Sequence, residues 1–154
     1  MTRLEDTVLR HPFFAELETD LGTTVLSCAR EVRFEAGAYL FHEDESADAF
    51  YLIRDGVVAL EFHAPGRPPA TFLTLGAGEI AGTSWIAPPS RWAFEARAMR
   101  ATDAIRIDAH RLRAECEANH DLGYQVMKRL LSALIVRLHA AHLQSLDVYG
   151  KSDR

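Results

Sequence analysis

The chain has 154 residues, 48% of them hydrophobic and 25% charged, proportions that fit one globular domain and exclude a disordered chain, a collagen-like repeat or a disulfide scaffold. Lys and Arg number 17 against 22 Asp and Glu, and the formal charge of -5 works against general affinity for phosphate backbones. Cys28 and Cys116 are too few for a cysteine-only zinc or iron–sulfur site and read as reduced, buried and cytosolic. The opening MTRLEDTVLRHPFF carries acids where a signal peptide needs an apolar run, and no apolar stretch is long enough to span a membrane, so the expectation is an unexported, cytoplasmic protein.

Apolar residues between Leu4 and Ala29 recur at helical spacing, with Pro12 interrupting, and predict short helices over residues 1–30. From Val32 the period changes to two. Val32 and Phe34, Tyr39 to Phe41, Phe50 to Ile53, and Val58, Leu60 and Phe62 predict strands with corners at Gly37 and Gly56. Ala64 to Pro69 reads as a hairpin loop before a strand at Thr71 to Leu75. After the Gly76 to Arg91 segment, Phe94 to Ala98 and Ala104 to Ile107 close the strand region, giving a roll over residues 31–108. Helices occupy 109–148: a short one from His110 to Ala118, then a long one expected from Asp121, with Asn119, His120 and Asp121 as N-cap candidates. Along it Leu122, Val126, Met127, Leu130, Leu131, Leu134, Ile135, Leu138 and Leu143, extended by Leu146, form a stripe wider than one domain face requires, which a partner helix would cover. Short strands with glycine turns flanked by helices predict a mainly β jelly roll or small barrel.

The run FEAGAYLFHEDESADAFYLIRDGVVALEF, Phe34 to Phe62, closely resembles the cyclic-nucleotide-binding domains of bacterial catabolite-activator and FNR-type regulators. LGAGEIAG, Leu75 to Gly82, resembles the approach to that family's phosphate-binding cassette, and LQSLDVYG, Leu143 to Gly150, its hinge into a DNA-binding domain. The resemblance implies a double-stranded β-helix jelly roll with short N-terminal helices and a long C-terminal dimer helix, in one domain over residues 1–154. It further implies a homodimer through residues 121–146, with Met127, Leu131, Leu134 and Leu138 at the helix pair. The chain ends at Arg154, and a helix-turn-helix needs on the order of 20 further residues, so the expectation is the sensor half alone, without direct DNA binding.

In the family a short helix N-terminus and nearby amides hold the cyclic phosphate, an Arg pairs with it, and a Glu takes the ribose hydroxyl; helix amides and a guanidinium fork both suit an anion. Gly78-Glu79-Ile80-Ala81 mimics the cassette start, but placing Leu75 to Gly78 on the preceding strand and turn makes Glu79 a turn acid and Gly82 the cassette glycine. Thr83 then stands where Glu is expected, and Ser84 to Ala87 run through the cassette helix. Counting without gaps puts Trp92 at the phosphate Arg position; a one-residue contraction around Pro88-Pro89-Ser90 puts Arg91 there. The candidate ligand site is therefore Gly82, Thr83, Ser84, Arg91, Trp92 and Ala93, with Trp85 as a stacking ring, for a small anion such as cyclic AMP or cyclic GMP bound weakly. Alternatively both indoles fill the pocket, leaving a ligand-free domain that docks onto another protein. Arg97 is expected to be exposed.

His139 and His142 read as a solvated or interface pair rather than metal ligands, and Glu43, Asp44, Glu45 and Asp48 as a turn in which Asp44 takes a left-handed conformation. No haem, cluster or other cofactor is marked, and no nucleophile and base fall into a recognisable arrangement, so no enzyme is expected.

Overall fold

The computed structural model describes residues 3–152, with side chains described through residue 146. Helices α1 (Arg3–Arg10) and α2 (Thr19–Leu26) precede eight strands: β1 (Ala29–Phe34), β2 (Tyr39–Phe41), β3 (Ala49–Asp55), β4 (Val58–Phe62), β5 (Ala70–Leu75), β6 (Ile80–Ala81), β7 (Glu95–Ala98) and β8 (Thr102–Asp108). Helices α3 (Ala109–Ala118) and α4 (His120–Ser152) follow. The strands form two four-stranded antiparallel sheets, ordered β1-β8-β3-β6 and β2-β7-β4-β5. This is the expected jelly roll with flanking helices.

Alternation sets the core. In the second sheet Val58 and Leu60 pair with Ala98 and Ala96 on the inner face, whereas Ala59 pairs with Arg97 and Glu61 with Glu95 on the outer face. In the first sheet β3 is buried from Ala49 through Ile53 because the N-terminal segment covers its second face. Phe13 meets Phe50 edge-on at 5.9 Å, and buried His11 sits astride the junction. The His11 Nε2–H donates to the Ile53 carbonyl at 3.0 Å while Nδ1 accepts from the Phe13 amide at 3.2 Å. That arrangement requires the neutral ring, and burial lowers the His11 pKa, opposed in part by the Ile53 bond. Each fully buried large apolar side chain contributes about 1.5–3 kcal/mol, and the cluster from Val8 to Leu130 is continuous through both sheets and the helices.

β6 was not anticipated: two residues are too few to show a period, and only pairing with Leu52 and Tyr51 makes them a strand. The caps follow polar chemistry. Asp108 accepts from the Arg111 amide at 3.0 Å to start α3, and Asn119 Oδ1 accepts from Asp121 and Leu122 to start α4 at His120, one residue before the expected start. Asp44 has φ +70° in the β2–β3 turn, where the left-handed conformation was foreseen.

The apolar stripe of α4 divides in two. Leu122, Val126 and Leu130 are buried in the domain, whereas Met127, Leu131, Leu134 and Leu138 are 38%, 58%, 37% and 54% exposed. The Leu143 to Gly150 stretch is helical, but its side chains after Leu146 lie outside the described residues. Among the described residues no helix is long and apolar enough to cross a membrane.

Candidate ligand-binding cassette

The segment after β6 begins with a sharp backbone corner. Glu79 Oε2 accepts from the Gly76 amide at 2.6 Å and closes the turn before β6, the role of a turn acid. Gly82 then takes φ +106°, and a Cβ there would come within 2.8 and 2.9 Å of the Trp92 ring. Only glycine combines that backbone with that clearance.

Residues 83–90 form turns, not the short helix the resemblance implied. Pro88 and Pro89 explain this: they remove two amide donors and force the preceding residue away from helical geometry. The segment is held by Ile86 N–H to the Thr83 carbonyl at 3.4 Å and Ser90 N–H to the Ala87 carbonyl at 3.0 Å, with a cis bond between Pro88 and Pro89. It offers no helix N-terminus to an anion.

The two tryptophans are interior. Trp92 is 5% exposed and lies flat on Phe41, with ring centroids 3.8 Å apart and planes 10° from parallel. Trp85 is fully buried and stacks on Phe50 at 4.9 Å and 7°. Phe50 also borders Gly82, so Phe41, Trp92, Gly82, Phe50 and Trp85 form one continuous aromatic lining. Ladder-like bonds hold Trp92 in an extended segment: its amide donates to the Glu45 carbonyl at 3.0 Å, its carbonyl accepts from the Asp44 amide at 2.9 Å, and the Ser90 carbonyl accepts from the Ala47 amide at 2.7 Å.

Arg91, one residue earlier in this extended stretch, faces outward. It is exposed, and its guanidinium donates to the Asp44 carbonyl at 2.6 Å, tying the β2–β3 turn to the cassette. Ala93 is also exposed, while Thr83 and Ser84 are half-buried. The structure therefore brings Gly82, Trp85 and Trp92 together and leaves Arg91 and Ala93 outside that lining.

Sequence reasoning missed Arg113 on α3. Its guanidinium donates to the Trp85 carbonyl and, at 3.4 Å, to Ser90 Oγ, joining α3 to the cassette. Its Nε and the Trp85 Nε1 are buried without acceptors among the described residues. One of two arginines on a ten-residue helix of weak amphipathicity, Arg113 carries no sequence signal for such a role. Arg97 departs from its expected exposure: it is about one-third exposed on the outer sheet face and donates to buried Glu61 at 2.8 Å, with Tyr39 under its guanidinium at 5.9 Å. Its cross-strand neighbours dictate this, since Glu61 next to Ala59 offers a counter-charge on the same face. His42 Nδ1 and Glu95 Oε2, 2.5 Å apart, extend this polar layer.

His139 and His142 are both exposed, and among the described residues no cluster of three or more potential ligands could hold a metal.

Comparison with known proteins agrees with this architecture. Residues 31–119 match the model of the cyclic nucleotide-binding domain family, more than half the chain. A Geobacter metallireducens protein of known structure, described as a cyclic nucleotide-binding protein, is 30% identical over 90% of this chain and all of its own, with a TM-score of 0.77. A cyclic nucleotide-binding domain from Methylobacillus flagellatus superposes with a TM-score of 0.80 at 20% identity, over 93% of this chain and 83% of that one. The sensor domain of the transcriptional regulator DNR from Pseudomonas aeruginosa gives 0.69 at 18% identity, over 88% and 91%. No curated protein matches the sequence. The chain belongs to the cyclic nucleotide-binding domain family.

Proposed function

We propose that this chain is a regulatory module that fills the interior of its own roll with indoles and works as a homodimer through α4, docking onto another protein instead of receiving a cyclic nucleotide. The observation that carries this reading is Trp92, stacked on Phe41 and pressed against Gly82 at the position that a gap-free count assigns to the phosphate-pairing arginine. A ligand entering there would have to displace a ring whose burial is worth about 5 kcal/mol, from roughly 200 Å² at 25 cal/mol/Å². Thr83 in place of Glu also forgoes the charge-assisted bond to a ribose hydroxyl.

Dimerisation through Met127, Leu131, Leu134 and Leu138 is supported by their exposure at spacings of four and three on one helix face. A second reading, in which the cassette senses a small anion, is favoured by the buried donors Trp85 Nε1 and Arg113 Nε, which lack acceptors among the described residues.

Calorimetric titration with cyclic AMP and cyclic GMP separates the two. The self-filled reading expects no binding tighter than about 1 mM for either nucleotide. Tight binding abolished by Arg91→Ala would establish the sensing reading, and tight binding indifferent to Arg91→Ala would defeat both. Sedimentation tests the dimer: the native protein should run as a dimer and Leu131→Glu as a folded monomer, and a monomeric native protein would remove α4 from the proposal.

A further inference from the structure

A cleft of about 640 Å³ lies away from the cassette, between one flank of α4, the N-terminal segment and the turn into β6. Buried Phe13 and Ile80 make its floor apolar and the exposed Val136 adds an apolar rim, while Lys128, Arg129 and Arg137 bring three cations to it against Glu16 and Glu79. The volume is in the range of small-molecule sites.

The two guanidiniums are held by neutral groups. Arg129 donates to the Ala15 carbonyl at 2.8 Å and to Gln125 Oε1 at 2.8 Å; Arg137 donates to the Ile80 carbonyl. Neither forms an ion pair with a carboxylate among the described residues, and Glu79 spends one oxygen on the Gly76 amide. Arg137 is largely withdrawn from water, and burial lowers its pKa while Glu79 acts in the other direction. An arginine remains charged at physiological pH, so this is a desolvated cation with donors to spare and no bound counter-charge.

The cleft and the exposed stripe occupy different flanks. At about 100° per residue, Gln125, Arg129, Ser132 and Val136 point roughly 160° away from Met127, Leu131, Leu134 and Leu138, while Arg137, beside the buried Val126 and Leu130, and Lys128 on the other side lie about 90° from that stripe. Helix pairing through the stripe leaves the cleft open.

We infer that this cleft binds a small monoanion with an apolar body, such as a medium-chain or aryl carboxylate, its carboxylate received by Arg137 and Arg129 and its hydrocarbon by Phe13, Ile80 and Val136. The single surplus positive charge of the lining suits a monoanion better than a dianion, and the apolar floor selects against an inorganic ion. The inference stands apart from the cassette: it does not depend on whether the roll takes a nucleotide.

The test is calorimetric titration of the full chain with octanoate, 1-octanol and inorganic phosphate. Octanoate should bind at least about tenfold more tightly than either control, because only it satisfies both the guanidiniums and the floor. Arg129→Gln and Arg137→Met should each weaken octanoate about tenfold or more. Ser132→Trp places an indole at the cleft without removing either arginine, and should abolish binding while circular dichroism and the unfolding midpoint stay native; it keeps the test decisive if Arg137→Met fails to fold. Absence of octanoate binding in the native protein, equal affinity for octanol, or affinity unchanged by Ser132→Trp would each overturn the assignment.

Discussion

Substituting Gly82 by Ala probes the packing on which the cassette geometry rests. Two costs add. The backbone at φ +106° is a conformation that L-residues adopt at a cost of about 1–3 kcal/mol. The new methyl would also meet Trp92 at 2.8 and 2.9 Å, and that ring has little room to retreat because Phe41 lies 3.8 Å beneath it. Overpacking of this kind costs about 1–3 kcal/mol. The sum is about 2–6 kcal/mol, which for a domain of this size lowers the midpoint of thermal unfolding by about 4–24 °C. Urea unfolding, followed by circular dichroism at one fixed protein concentration, measures it. The mechanism is resolved by repeating the substitution in a Trp92→Leu background: with the ring gone, only the backbone cost should remain, leaving a coupling of about 1–3 kcal/mol between the two sites. A loss below about 1 kcal/mol, or the same loss in both backgrounds, would refute the claim that the indole occupies this corner.

Trp85→Phe should cost less than a fully buried indole normally does. It removes a buried Nε1–H that has no acceptor among the described residues, and relief of about 1–3 kcal/mol offsets the lost packing; urea unfolding of the variant should fall within about 1.5 kcal/mol of the native protein. For His11 the folded pKa lies below its unfolded value, so the unfolded chain takes up the proton first; the contribution to stability is complete above about pH 6.5 and is lost as pH falls from there through the folded value. Stability curves of native protein and His11→Gln between about pH 7.5 and about pH 5 should converge toward the acid end, and parallel curves would contradict the neutral-ring assignment. The Cys116 thiol is pushed up to about 11, first by burial and then by Cys28 and the neighbouring glutamates. At about pH 8 iodoacetamide should therefore modify it about a hundredfold more slowly than a free cysteine, and mass-spectrometric rates check this.

The architecture was legible because it rests on periodicity. Val58, Leu60, Ala96 and Ala98 alternate with Ala59, Glu61, Glu95 and Arg97, and that alternation alone separates the two faces of the second sheet. The site was legible only in part. Glycine at 82, the turn role of Glu79 and the left-handed Asp44 each follow from one residue's local chemistry. The environment of Arg97 does not, since its partner Glu61 is 36 residues away and meets it only through β4–β7 pairing. Arg113, Arg129 and Arg137 were invisible for a related reason: each donates to a backbone carbonyl distant in sequence, and a carbonyl is common to every residue. The α4 stripe was read as one surface because hydropathy counts leucines alike, whether they face α3 and the roll, as Leu130 does, or away from both, as Leu131 does.

The ambiguity between Arg91 and Trp92 has a physical resolution. Successive residues of an extended segment point to opposite sides, so only one of the pair can enter the roll. The bonds from Asp44, Glu45 and Ala47 to residues 90–92 fix the segment as extended and leave the choice to energetics. Burying the indole gains about 5 kcal/mol from roughly 200 Å² of surface. Burying the guanidinium without a counter-ion would cost several kcal/mol, while outside it keeps water and the Asp44 carbonyl. Without an anion the inward tryptophan is favoured by both considerations together. Reversing the pair would demand an anion that repays the lost burial and the desolvation at once, and would also break three backbone bonds to the β2–β3 turn. The inward Trp92 thus follows from packing and desolvation together, and on the self-filled reading proposed above regulation acts along α4 and not inside the roll.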